Sequence, residues 1–163
     1  MKKALLTTAL VAMMSLSGCD SLQDDRIPSV SVYIPFSTQA TWELYGATAA
    51  GDYCMFIREQ RIPSNFPWTE ATLTGFGGVL LVCDYYGEPQ AFDLACPVER
   101  QYDVRLKINT DDMFAHCPKC GSVYQVFSNY GAPVSGTAAK EGYSLRRYSV
   151  GRGTTQYMII TRY

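Results

Sequence analysis

Cysteine is the residue of this chain best suited to metal or redox chemistry, and half of its six cysteines fall in two short segments. These are Ala95-Cys96-Pro97-Val98-Glu99 and His116-Cys117-Pro118-Lys119-Cys120-Gly121. Thiolates are soft ligands for zinc, copper(I) and iron. Pro97, Pro118 and Gly121 mark tight turns, and tight turns behind β-rich runs aim several sulfurs at one point. The Cys-x-x-Cys turn closed by Gly121 has the look of a zinc knuckle; zinc accepts four thiolates, or three thiolates and an imidazole. Cys96, Cys117 and Cys120 are therefore the candidate ligands, with His116, the single histidine, as a fourth. Glu99 reads as a solvated charge. Cys54 and Cys83 lie in apolar runs and read as small buried hydrophobes.

The elements that must position these residues are strands. Ser29 to Ile34 alternates apolar and polar residues up to Pro35, which is expected to stop the run. Tyr53 to Ile57 is a short apolar strand, and Pro63 and Pro67 make Arg61 to Trp68 a loop. Val79 to Cys83 and Gln90 to Leu94 flank the turn Tyr86-Gly87-Glu88 and form a hairpin that delivers Cys96. Tyr102, Val104, Leu106 and Ile108 alternate with Asp103, Arg105 and Lys107 as the cleanest period-2 strand. Met113 to Ala115 leads into the second cysteine loop and Val123 to Phe127 leads out. Leu145 to Val150 and Tyr157 to Ile160 close the chain. The expectation is an all-β fold, a small antiparallel sandwich or barrel with both cysteine loops on hairpins at one tip.

From about residue 77 to 150 the order of parts resembles the Rieske iron-sulfur family. Ala91-Phe92-Asp93-Leu94-Ala95-Cys96-Pro97 and Cys117-Pro118-Lys119-Cys120-Gly121-Ser122-Val123-Tyr124 carry the likeness, followed by Gly131-Ala132-Pro133 and Leu145-Arg146-Arg147-Tyr148. The resemblance implies a [2Fe-2S] cluster on Cys96 and Cys117, with Ser122 and Tyr124 donating hydrogen bonds to its sulfurs. It also implies one-electron transfer to an envelope partner. Both histidines of the family pattern are replaced, by Val98 and Cys120, so a cluster here has altered ligation. Zinc is the alternative occupant. A third reading has no metal: the family geometry sets Cys96 opposite Cys117 and Cys120, and a disulfide there would stabilise by about 2 to 4 kcal/mol. The domain would then be a structural or interaction module.

The N-terminus fixes the expected compartment. Lys2 and Lys3, an apolar run to Met14 and Leu16-Ser17-Gly18-Cys19 form an export signal too short to span a bilayer. The last four residues resemble the bacterial lipobox, which implies that residues 1–18 are removed and Cys19 is lipidated. Residues 19–28 are then a tether on the membrane and residues 29–163 the β domain, in the cell envelope. Removal of the leader takes two of 14 basic residues and none of 15 acidic ones. With no Lys/Arg cluster, nucleic acid is not an expected partner. No phosphate loop, His-Glu-x-x-His or Gly-x-Ser-x-Gly motif is present, and the chain is not expected to be an enzyme.

Overall fold

The computed structural model describes residues 22–162; the leader and Cys19 lie outside them. The fold is all-β, built from two antiparallel sheets. Strands β1 (Val32–Phe36), β2 (Tyr53–Phe56), β3 (Leu73–Thr74), β4 (Val79–Cys83) and β5 (Pro89–Asp93) belong to the larger sheet. So do β10 (Arg147–Gly151) and β11 (Met158–Arg162), and the order is β2-β4-β5-β10-β11-β1-β3. The smaller sheet runs β6 (Lys107–Asn109), β7 (Phe114–His116), β8 (Val123–Gln125) and β9 (Ala132–Ser135). Among the described residues there are also two short α-helices, α1 (Gln39–Tyr45) and α2 (Gly136–Glu141), and one 3-10 turn at Arg58–Gln60. No helix among the described residues is long and apolar enough to cross a membrane.

The unbroken apolar run of β4 has a simple cause, because both of its faces are buried. Val79, Leu81 and Cys83 point into one core with Ile34, Phe36, Phe56 and Phe66. Leu80 and Val82 point into a second core with Phe92, Leu94, Leu106, Phe127 and Leu145. Strands buried on both sides lose the polar alternation of half-exposed ones. Cys54 and Cys83 pack with the first core, whereas Cys96, Cys117 and Cys120 pack with the second. That second core lies where the small sheet meets the β4–β5 hairpin.

Two expectations shift. Pro35 does not end its strand: β1 continues to Phe36, opposite Ile159 and Met158 of β11. On its other side β1 pairs with β3 only at Val32 and Tyr33, so the missing N–H of Pro35 costs no ladder bond there. The run from Tyr102 to Ile108 is not one strand. Tyr102 is exposed, Leu106 is buried, and the segment changes partners along its length. Cys96 N donates to Val104 O and Leu106 N to Leu94 O, while Lys107 to Asn109 pair with β7. This crossing ties the first cysteine loop to the sheet that carries the second.

Asp93 anchors the hairpin below Cys96. Its buried carboxylate accepts from the backbone N–H of Phe76, Gly77 and Ala95 and from the Tyr148 hydroxyl. Burial pushes the Asp93 carboxyl above the usual carboxylate range against the pull of these donors. A raised folded value means that its contribution favours folding most at low pH and declines as pH rises through that value. Tyr148→Phe removes one donor and should destabilise by about 1 to 3 kcal/mol at neutral pH. The difference should shrink on acidification as Asp93 becomes protonated. Urea melts of both proteins across pH check this, and a constant difference would disprove it.

Candidate metal centre

Cys96 sits two residues beyond Leu94, in a turn closed by Arg100 N donating to Cys96 O at 2.9 Å. Arg100 holds this turn in the left-handed region at φ 56°, a conformation uncommon for a side chain with a Cβ. In the second loop Cys117 N donates to Ser122 O and Gly121 N to Cys117 O. Gly121 has φ 69°, with open space around it, so glycine is used here for backbone freedom alone. Lys119 Nζ spans the two loops, 2.8 Å from Glu99 Oε2 and 3.4 Å from Gln101 Oε1.

The loops bring the Sγ atoms of Cys96, Cys117 and Cys120 within 4.8 Å of one another. The Cys96–Cys120 separation is 3.6 Å. A disulfide requires about 2.05 Å, and the five described cysteines are free. A tetrahedral ion with sulfurs at about 2.3 Å sets them about 3.8 Å apart, close to the observed spacing. The donor set therefore fits a thiophilic metal ion. Cys96 and Cys117 are buried, and Cys120 is partly exposed.

Polar groups are aimed at these sulfurs. The fully buried Tyr124 places its hydroxyl 3.6 Å from Cys96 Sγ. Burial pushes its ionisation upward, and the neighbouring thiols push it further, so it stays a hydroxyl donor. Ser122 Oγ accepts from the Cys120 thiol at 3.3 Å and from Ala138 N at 3.1 Å. That acceptance leaves the Ser122 proton free for a thiolate. Gly136 makes the contact possible, since a Cβ there would stand 2.8 Å from Ser122 Cα. Burial raises the Cys96 thiol to about 12. Burial also acts to raise Cys120, but the Ser122 side chain, the Ser122 backbone and the other thiols outweigh it and leave that thiol below its ordinary value.

His116 stands outside this group. Its Nε2 lies 2.8 Å from Asp112 Oδ2. It precedes Cys117 at the end of β7, where successive side chains alternate in direction. Val98 packs against the second core and offers no donor atom. Glu99 is taken up by Lys119. Sequence reasoning missed the loop-shaping role of Arg100 and Gly136, neither of which offers a ligating atom; the positive φ of Arg100 has no signature in residue type, whereas at position 136 glycine is itself that signature. No family model and no curated protein matches the chain.

Proposed function

We propose that this protein is a lipid-anchored envelope protein whose Rieske-like β domain holds one thiophilic metal ion, zinc by preference, on Cys96, Cys117 and Cys120. The ion clamps two loops of an interaction module. The observation that carries this reading is the mutual proximity of the three sulfurs, all within 4.8 Å, which suits the coordination sphere of a single ion. A [2Fe-2S] cluster divides four ligands between two irons, and three sulfurs gathered at one point leave the second iron poorly served. Among the described residues no fourth ligand joins them, and the fourth position is left to solvent or to another group. Iron-sulfur electron transfer is the second reading, favoured by the Tyr124 and Ser122 hydroxyls beside the sulfurs, because such donors tune cluster potentials.

Metal and acid-labile sulfide analysis of anaerobically purified protein separates the two. The expected result is one zinc per chain, no sulfide and a colourless solution. Iron with matching sulfide in a red-brown protein would establish the cluster instead. Anchoring has its own test: Cys19→Ser should move the protein from the membrane to the soluble fraction. A wild-type protein of unacylated mature mass would refute the anchor and leave the metal centre standing.

A further inference from the structure

The residues expected to form a loose tether are, in large part, built into the domain. Gln23 N donates to Gly142 O at 2.8 Å, and Ser144 N returns a bond to Gln23 O at 2.9 Å. The Arg26 guanidinium lies 4.1 Å from the centroid of the Tyr143 ring. Ile27 is buried at 2% exposure, and its carbonyl accepts from the buried Arg146 side chain at 2.6 Å. A free tether shows none of these contacts. Leu22, the first described residue, is three residues after Cys19.

We infer that the edge formed by Leu22, Tyr130 and Arg147 is held against the lipid surface that bears the anchor. This inference rests on the proposed lipidation of Cys19. Three residues span at most about 11 Å even when fully extended, so an acylated Cys19 leaves Leu22 almost no freedom to leave the bilayer. Leu22 and Tyr130 line one surface hollow of about 370 Å³ together with Asp24, Asn129, Ser144 and Arg147. Leu22 is 55% exposed and Tyr130 57%. Arg147 reaches over the Tyr130 ring at 5.7 Å. An aromatic ring beside a guanidinium suits the headgroup region, where amphipathic side chains place an apolar body and a polar tip. Asp24 offsets Arg147 in the lining, so the hollow carries no charge excess that would bind anionic lipid unaided. The short leash imposes the contact, and the side chains tolerate it.

Hydroxyl-radical footprinting of the full-length lipidated protein tests the orientation on vesicles of phosphatidylethanolamine and phosphatidylglycerol. The soluble Cys19→Ser form is the reference. Leu22 and Tyr130 should be modified several-fold less on vesicles than in solution. Leu44 should react equally in both states, because it lies on α1 beyond the far end of β1 and is 72% exposed. Insertion of roughly 12 Gly/Ser residues between Cys19 and Leu22 adds about 20 Å of flexible reach and should restore the solution pattern while the protein remains vesicle-bound. Unchanged Tyr130 reactivity on a vesicle-bound wild type would overturn the orientation alone. Protection that survives the insertion would overturn the leash argument. A wild type that never enters the vesicle fraction would overturn the anchor and this inference with it.

Discussion

Replacing Cys120 with serine should abolish metal binding at the proposed three-cysteine centre while leaving the domain folded. Cys120 is the most accessible of the three thiols, so the substitution leaves the buried packing around Cys96 and Cys117 in place. Loss of a partner that only orients a ligand already lowers metal affinity by roughly 10 to 100-fold, and loss of a ligand should exceed that. A hundredfold excess of metal over its dissociation constant corresponds to about 2.7 kcal/mol of native-state stabilisation. For a domain of this size that is about 5 to 10 °C in the thermal midpoint. The wild type should lose the same increment in chelator, and the variant should be insensitive to it. Elemental analysis beside paired thermal melts decides the matter, and a Cys120→Ser protein with full metal content would refute the proposed centre.

A second large effect is expected at Leu106. It is 1% exposed and packs in the second core with Cys96, Cys117 and Tyr124. Its backbone N–H bonds Leu94 O, at the crossing that joins the two sheets. Leu106→Asp places a charge there with no partner, at a cost of several kcal/mol. Because whole domains hold only about 5 to 15 kcal/mol, the variant should lose its cooperative unfolding transition. Leu106→Met conserves volume and should cost less than about 1.5 kcal/mol. Circular dichroism melts of the pair check both, and a stable Leu106→Asp protein would show that this core is not what holds the loops.

The all-β class was legible because it rests on local patterns, whereas the meeting of Cys96 with Cys117 and Cys120 was expected from the order of parts between residues 77 and 150. The apolar run of β4, the turn at Gly87 and the Cys-x-x-Cys turn at Gly121 state their structure within a few residues. What escaped the sequence depends on partners distant along the chain. The short β3 and β9 have too few residues to show a period. Residues 102–108 have the alternation of one strand, but Val104 and Leu106 pair with the first loop while Lys107 to Asn109 pair with β7. The charges of Asp24, Asp25 and Arg26 read as a solvated tether, whereas the backbone bonds that dock Gln23 onto Gly142 and Ser144 leave no trace in side-chain type. His116 drew notice as the single histidine, and its position beside Asp112 is set by a hairpin register that a lone sequence does not disclose.

The pairing of β1 with β11 sets a clock on biosynthesis. Val32 lies opposite Arg162 and Phe36 opposite Met158, so the larger sheet joins strands from nearly opposite ends of the described chain. The order of the sheet places β1 and β3 beyond β11, so their backbone ladder to the rest of the sheet forms only once residues 158–162 have been made, although Ile34 and Phe36 also pack against β2 and β4. Loop closure over such a separation is slow compared with a local hairpin such as β4–β5. A growing polypeptide therefore completes the larger sheet only when β11 has been synthesised. Until then the edges of β10 and β1 that face β11 stay unpaired.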